Sequence, residues 1–178
     1  MKNIDIRRPN EYEIEKINDF FEIVLIDTFK KNGIFYRKDL YNEEINSKKS
    51  YLLKDFETNG IERYFLMAFE NERVIGTIEY GKANNLINEL TNNILKDVIE
   101  IGTVFVHPEY QRKGIGSSLI KELSKKLLKN GEKEFCLDSG YKTAQETWTS
   151  KFGEPKYIYK DKWGKDAHHM IWKVSLEK

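Results

Sequence analysis

The chain has 178 residues, of which 39% are hydrophobic and 33% charged, and its formal net charge is +1. This composition is typical of a folded globular protein and excludes a disordered chain, while the near-zero charge gives no reason to expect a nucleic-acid or membrane partner. Because Cys136 is the single cysteine, a disulfide framework is excluded, and we expect a cytoplasmic protein. The length of the chain predicts one domain, over residues 4–178.

The first half of the chain predicts one strand, two helices and a hairpin. Apolar and polar residues alternate over 4–7, as in a half-buried strand, and the period changes to that of a helix over 11–33. The charged stretch 38–56 indicates a second, weaker helix with loops. Two apolar runs at 64–69 and 73–80 flank a short polar turn, which predicts a hairpin.

The second half begins with an Asn- and Leu-rich segment, 81–97, that is either an insertion or a short helix. The elements that follow are predicted as strand, helix, strand, helix and two strands, at residues 98–106, 115–128, 135–137, 143–151, 157–159 and 169–174. The strand–helix–strand unit implies a parallel pair, whereas the short links imply antiparallel pairs. The predicted fold class is α/β or α+β, with a mixed, mainly antiparallel sheet of about seven strands and helices on both faces.

The turn between the strand 98–106 and the helix 115–128 is the most informative segment of the chain. It reads Val106-His107-Pro108 and then Gln111-Arg112-Lys113-Gly114-Ile115-Gly116. The first N–H groups of a helix have no partner within the helix and lie at the positive end of its dipole, which suits a phosphate or pyrophosphate. From the turn alone, a plain bend with solvated Arg112 and Lys113 is an equally good interpretation.

This pattern, Gln/Arg-x-x-Gly-x-Gly/Ala after Val-x-Pro and before an amphipathic helix, resembles motif A of the GNAT (N-acetyltransferase) superfamily. The order of elements from Ile4 to about Val174 is similar to that of the same family. The resemblance implies acetyl-CoA as cosubstrate, and the chain shows no metal-ligand spacing. It also implies that the pyrophosphate is held by Gln111, Arg112, Lys113, Gly114, Ile115, Gly116 and Ser117. The pantetheine arm would pair with the backbone of Val104, Phe105 and Val106.

Acetyl transfer to an amine requires a base that removes a proton from the ammonium group. Glu100 is our first candidate, because some protein-acetylating members of the family carry their catalytic glutamate fourteen positions before the equivalent of Gly114. Glu79, on the preceding strand, is the second candidate. The resemblance implies a backbone N–H near Val104–Phe105 as the donor to the tetrahedral oxyanion.

The acid that would protonate the leaving thiolate is harder to assign. Many family members have a tyrosine in the helix after the fifth strand, but here the corresponding position is Trp148 or Thr149. Tyr141, just before that helix, is a candidate substitute. Cys136 could in principle act as a nucleophile, although a buried strand thiol is the better interpretation.

We therefore predict an N-acetyltransferase that moves acetyl from acetyl-CoA to a primary amine by direct attack in a ternary complex. The alternative is a non-catalytic acyl-CoA-binding sensor or interaction domain with the same fold. The acceptor, a small molecule or a peptide, is not identified by the sequence. No nucleic-acid or membrane partner is expected, and a homodimer is one expected state because dimers are common in the family.

Overall fold

The computed structural model describes residues 4–176, which form seven β-strands and five α-helices. The strands are β1 Ile4–Arg7, β2 Arg63–Glu70, β3 Arg73–Lys82, β4 Ile99–Val106, β5 Glu134–Ser139, β6 Tyr157–Tyr159 and β7 His169–Ser175. The helices are α1 Ile14–Lys31, α2 Lys38–Glu57, α3 Asn85–Leu90, α4 Ile115–Lys129 and α5 Lys142–Phe152. Short 3-10 turns cover Glu11–Glu13 and Pro108–Tyr110.

The seven strands form one mixed sheet in the order β1-β2-β3-β4-β5-β7-β6. β4 and β5 are parallel, with Glu100 opposite Cys136, whereas β5 and β6 both run antiparallel to β7. β1 lies antiparallel to β2, with Ile6 opposite Ala68. The prediction of a mixed, mainly antiparallel sheet is therefore confirmed.

By their contacts the residues divide into two compact units. The first runs to Tyr80 and includes Thr103–Lys126. In this unit α1 packs on α2, and α2 packs on β2. The core of the unit consists of buried apolar side chains that include Ile17, Phe21, Leu25, Phe29, Phe65, Met67, Ile75, Ile78, Leu119 and Leu123. The apolar helical face that the sequence predicts for α1 is thus its buried face.

The second unit comprises Gly81–Gly102 and the chain from Leu127 onward. Its core includes Ala83, Ile87, Leu95, Cys136 and Ile171. The segment 81–97 contributes α3 to this core, which confirms the short helix among the predicted alternatives. Trp172, the residue after Ile171, is also buried and donates its indole N–H to the Gly153 carbonyl at 2.9 Å.

Two elements differ from their sequence-based predictions. α2 is one continuous helix of 20 residues rather than a weaker helix with loops. Ile45 and Leu52 are buried although most of the helix is polar, so packing stabilises the helix where local apolar content does not. The hairpin turn is also shorter than predicted, because β2 continues through Glu70 and only Asn71 and Glu72 turn, both with positive φ.

Candidate functional site

The turn that connects β4 to α4 has the backbone of a loop that opens a helix. Arg112 has φ +59° and Gly114 has φ +84°, and α4 then begins at Ile115. The Gly114 carbonyl accepts the first hydrogen bond of the helix, from Ser118 N at 2.9 Å. Positive φ favours glycine, so the backbone conformation explains why residue 114 is a glycine.

The space beside both glycines of this turn is open. A Cβ placed on Gly114 would meet no atom within 4 Å, and one on Gly116 would meet only the Val106 side chain at 3.6 Å. Arg112 and Lys113 are both exposed next to the start of α4. Open backbone, two cations and the positive end of a helix dipole together fit a bound pyrophosphate.

The side chain of Gln111 is fixed by three hydrogen bonds. Lys31 Nζ donates to its Oε1 at 2.8 Å, and its Nε2 donates to Asp27 Oδ2 and to the Val106 carbonyl, both at 3.2 Å. Lys31 and Asp27 are themselves ion-paired at 2.6 Å near the end of α1. The end of α1 therefore holds the start of the turn, a connection across some eighty residues of sequence that local patterns do not reveal.

A second close contact seats the start of α4 on β3. A Cβ on Gly76 would lie 2.8 Å from Ile115 Cγ2 and 3.0 Å from Leu119 Cδ1. Gly76 thus permits the helix to approach the strand, a role that sequence reasoning missed. The glycine interrupts an otherwise apolar strand pattern, and an isolated glycine of this kind is the signal for a close backbone approach.

The strand predicted to pair with pantetheine is continuous with this turn. Val104, Phe105 and Val106 are each half-buried in β4. The Phe105 ring contacts Phe21 edge-to-face at a centroid distance of 6.0 Å. This ring contact packs β4 against α1.

Thr103, immediately before Val104, breaks the regular conformation of β4. Its φ is +48°, which is unusual for a β-branched residue. Thr77 Oγ1 donates to the Thr103 carbonyl at 2.8 Å, and Thr103 Oγ1 donates to Glu79 Oε1 at 3.3 Å. This break lies next to the N–H groups predicted to stabilise the oxyanion, and strained backbone of this kind is frequent at functional sites.

The two candidate bases are both buried and both hydrogen-bonded. Glu100 is 5% exposed, and its two oxygens accept from Asn84 N at 2.7 Å and Asn84 Nδ2 at 2.9 Å. Glu79 is 1% exposed and accepts from Arg63 Nη1 at 3.0 Å in addition to Thr103. Neither carboxylate therefore faces solvent.

Asn84 links Glu100 to α3. Its Oδ1 caps the helix by accepting from Ile87 N at 2.8 Å, while its own N–H groups point to Glu100. The carboxylate therefore anchors the start of the 81–97 segment. The sequence separation of sixteen residues concealed this contact.

Tyr141 lies at the N-cap of α5 and is half-buried. Its backbone N–H donates to Ser139 Oγ at 3.0 Å, which fixes the entry to the helix.

Trp148 is buried and stacks on Phe152 at a centroid distance of 5.9 Å. The Thr149 carbonyl accepts from Gly153 N at 2.9 Å as α5 ends. Trp148 is therefore a packing residue at one of the two positions that correspond to the family tyrosine.

The comparison with protein families identifies the chain. The model of the acetyltransferase (GNAT) family matches residues 33–153, which is more than half of the sequence. The chain belongs to this family. The turn 111–116 and all of α4 lie within the matched region. The sequence matches no curated protein.

Solved structures share the GNAT fold along nearly the whole chain. A GNAT-family protein of Desulfovibrio desulfuricans superposes with a TM-score of 0.74 at 13% identity, over 98% of this chain and 99% of that one. PaiA N-acetyltransferase from Thermoplasma acidophilum, solved with coenzyme A, gives 0.68 at 20% identity, over 97% and 99%. YncA from Salmonella typhimurium, solved with acetyl-CoA, gives 0.67 at 15% identity, over 98% and 95%.

Within this GNAT fold, Cys136 has the properties of a core residue. It is fully buried, and burial, followed by the charges of Glu100 and Asp138, raises the pKa of its thiol to about 12. A thiol of this kind is protonated at neutral pH and is a poor nucleophile. The expectation of a buried strand thiol is confirmed.

The structure describes residues 4–176 of this GNAT chain. No cluster of three or more His, Cys, Asp or Glu side chains there could hold a metal ion. None of the helices in that range is long and apolar enough to cross a membrane.

Proposed function

We propose that this GNAT protein transfers acetyl from acetyl-CoA to a primary amine, with residues 4–178 acting as one domain. The observation that carries the proposal is the backbone of the 111–116 turn, where Gly114 at φ +84° opens α4 beside Arg112 and Lys113. Coenzyme A and acetyl-CoA in structures of the same fold support this assignment of the donor. The backbone N–H groups from Gln111 to Gly116 and the Ser117 hydroxyl would hold the pyrophosphate, and the backbone of Val104–Val106 would hold the pantetheine arm.

The chemistry that we propose is direct attack within a ternary complex. A base takes a proton from the ammonium group, and the free amine nitrogen bonds to the thioester carbonyl carbon to give the tetrahedral oxyanion. The C–S bond then breaks to release the CoA thiolate, and the nitrogen loses its second proton to solvent, which leaves the neutral amide. A backbone N–H near Val104–Phe105 would stabilise the oxyanion, next to the strained Thr103. Tyr141 would return a proton to the thiolate. A thiolate is a fair leaving group, so this last step contributes less than the first.

Glu100 is our preferred base. Asn84 holds its carboxylate in one orientation through two hydrogen bonds, one from the backbone N–H and one from Nδ2. Protonation of Glu79, in contrast, would give up its ion pair with Arg63 at 3.0 Å. A water between Glu100 and the ammonium group is an allowed path for the proton.

The acceptor belongs to the class of small-molecule or peptide amines. Structures of the same fold include an aminoglycoside 6′-acetyltransferase and a ribosomal-protein-alanine N-acetyltransferase from Brucella melitensis, whose substrates differ widely. We also propose a cytoplasmic location, which suits a buried free thiol and a CoA-dependent reaction. A homodimer stays a prediction.

The second candidate function is a non-catalytic acyl-CoA sensor. Two observations favour it: Trp148 packs in the core at one position considered for the family tyrosine, and Glu100 anchors α3 through Asn84. Such a sensor would bind acetyl-CoA and leave the thioester intact with every amine.

Thiol release from acetyl-CoA separates the two functions. We expect the protein to release CoA with at least one member of a panel of L-lysine, spermidine, kanamycin, phenethylamine and an alanine-initiated peptide. Glu100→Gln should lower kcat by about 10²–10⁴-fold, the usual contribution of a positioned base, with the Kd of CoA unchanged. Glu79→Gln should lower it less.

Asn84→Ala is the matched control, because it removes the side-chain hydrogen bond from Nδ2 to Glu100 and the cap on Ile87 N, and keeps the carboxylate. If Asn84→Ala reproduced the whole loss of Glu100→Gln, Glu100 would be an anchor and not the base. If the wild type bound CoA and released thiol with none of the amines, the sensor function would replace the transferase.

A further inference from the structure

His169, the first residue of β7, is held in a single tautomer at the carboxyl end of β5. It is 4% exposed. Its Nε2 lies 2.9 Å from Asp138 Oδ2, and its Nδ1 lies 3.1 Å from the indole nitrogen of Trp163. An indole N–H can only donate, so Nδ1 accepts and the proton of the neutral ring is on Nε2, where it is donated to Asp138. The histidine therefore connects the loop between β6 and β7 to β5.

The indole of Trp163 lies directly against Gly140, the residue after β5. A Cβ on Gly140 would be 2.8 Å from Trp163 Nε1. The φ of Gly140 is outside the left-handed region, so its backbone conformation does not require glycine. Glycine is needed here because a side chain would occupy the space of the Trp163 ring. The next residue along the chain is Tyr141, our candidate acid. The ring is thus fixed beside the segment that carries a proposed catalytic group.

The loop that carries Trp163 is ordered by its own hydrogen bonds. Trp163 N donates to the Ala167 carbonyl and Ala167 N donates to the Gly164 carbonyl, both at 3.0 Å. Asp161 N donates to His168 Nδ1, also at 3.0 Å. Although the loop and the ring are held in this way, Trp163 is 50% exposed. An immobilised ring with half of its surface in solvent offers a ready stacking surface at little further entropic cost.

The charges near the ring indicate what kind of group it would accept. Lys162 Nζ lies 5.8 Å from the centroid of the Trp163 ring and 4.0 Å from Glu89 Oε1. A cation already near the ring disfavours a second one there by like-charge repulsion. A neutral planar group is therefore the better match for the exposed indole.

We propose that Trp163 determines acceptor specificity by stacking on a planar apolar group of the amine, and that His169 and Asp138 are positioning residues that hold the indole. This inference rests on the proposed acetyltransferase function. The position agrees with the general preference of ligands for the carboxyl ends of parallel strands, since β5 runs parallel to β4. The acceptor class is a primary amine with an aromatic or comparable planar substituent.

Phenethylamine and ethylamine test the proposal, because the two amines differ only in the phenyl ring. We expect wild-type kcat/KM to favour phenethylamine by about tenfold or more, in line with the size of one apolar specificity contact. Trp163→Ala should bring the ratio close to one by raising the KM for phenethylamine, with the KM for acetyl-CoA unchanged. His169→Phe should lower the ratio in the same direction, because it leaves Trp163 without its acceptor.

Three further variants keep the test specific. Trp163→Phe retains a ring and should keep part of the preference, and Asp138→Asn retains an oxygen that can accept from His169 Nε2 and should keep most of it. Lys165→Ala, an exposed change on the same loop, should behave as wild type. An active Trp163→Ala whose ratio equals that of wild type would overturn the inference and leave the proposed function intact. Absence of turnover by the wild type with every amine would overturn both.

Discussion

At the scale of single residues, we expect the buried carboxyl group of Asp55 to make the stability of the protein depend on pH. Asp55 is fully buried and is held by Arg8 Nη2 at 2.6 Å. Burial outweighs the attraction of Arg8 and raises the pKa of Asp55 from 3.8 to about 6. The folded protein therefore binds a proton at Asp55 more tightly than the unfolded chain does.

This raised pKa predicts a loss of stability as the pH rises. The contribution of Asp55 is fully present below the unfolded pKa near 4 and is lost as the pH passes through about 6, because the folded state must then hold a buried charge. The free energy of unfolding of wild type should fall between about pH 4 and pH 7 by about 2 kcal/mol more than that of Asp55→Asn. Urea unfolding at several pH values measures the difference.

Asp39→Asn is the control for this experiment. Asp39 lies on the same helix, α2, but it is exposed, and its hydrogen bond with Arg37 lowers its pKa to about 2. Its contribution is lost only as the pH falls through about 2, so the slope above about pH 4 should match wild type. Equal slopes for wild type and Asp55→Asn would contradict the raised pKa of Asp55.

The sequence predicted the contacts of individual residues less completely than it predicted the helices and strands. The sequence singled out Glu100, Glu79 and Tyr141 as residue types, but it could not supply Asn84 or Arg63 as their partners. Those partners come from tertiary contacts between separate elements, which have no local pattern. The positive φ of Thr103 was equally hidden, because a β-branched residue normally predicts a regular strand.

At the scale of elements, local patterns performed well where periodicity was strong. The apolar stripe after Gly114 predicted α4, and two apolar runs around a short polar turn predicted the hairpin strands 64–69 and 73–80 within β2 and β3. α2 was underestimated because its buried face consists of few residues, among them Ile45 and Leu52, and its formation depends on packing against α1 and β2. Periodicity therefore identifies an element reliably only when the apolar face is dense.

The link between α1 and the 111–116 turn is an element-scale feature with a functional consequence. Lys31 donates to Gln111 Oε1, so removal of this side chain should loosen the start of the turn. We expect Lys31→Met to weaken CoA binding by about fivefold, equivalent to one hydrogen bond of about 1 kcal/mol. Isothermal titration with CoA measures the Kd.

Lys30→Met is a matched control, because it removes the same charge one residue away and leaves Gln111 untouched. Lys30 lies over Phe35 at 5.3 Å and is exposed. If both variants weakened CoA binding equally, the effect would be one of net charge, and the positioning of Gln111 by α1 would be refuted.

At the scale of the whole molecule, the sheet order could be expected only through the family resemblance. Short links predicted antiparallel neighbours and the strand–helix–strand unit predicted the parallel pair, but nothing local requires β7 to lie between β5 and β6. The family match over 33–153 and the structures that superpose over nearly the whole chain confirm this fold. Sequence identities of 13–20% in those structures leave the acceptor to be determined by experiment.

The central claim is that the turn before α4 binds the pyrophosphate of acetyl-CoA. Substitution of the two glycines that flank α4 tests this claim. Gly114 and Gly131 lie before and after α4, with φ of +84° and +86°, and a Cβ on either would meet no atom within 4 Å. Alanine at either position therefore introduces the same backbone strain, but only Gly114 belongs to the proposed cradle.

Binding of CoA, measured by isothermal titration and by thermal shift, compares the two variants directly. Wild type and Gly131→Ala should bind CoA with similar Kd, and a concentration of 100 times Kd should stabilise each by about 2.7 kcal/mol. Gly114→Ala should bind at least about tenfold more weakly. Equal CoA affinity for Gly114→Ala and Gly131→Ala, or no stabilisation of wild type by CoA, would contradict the account.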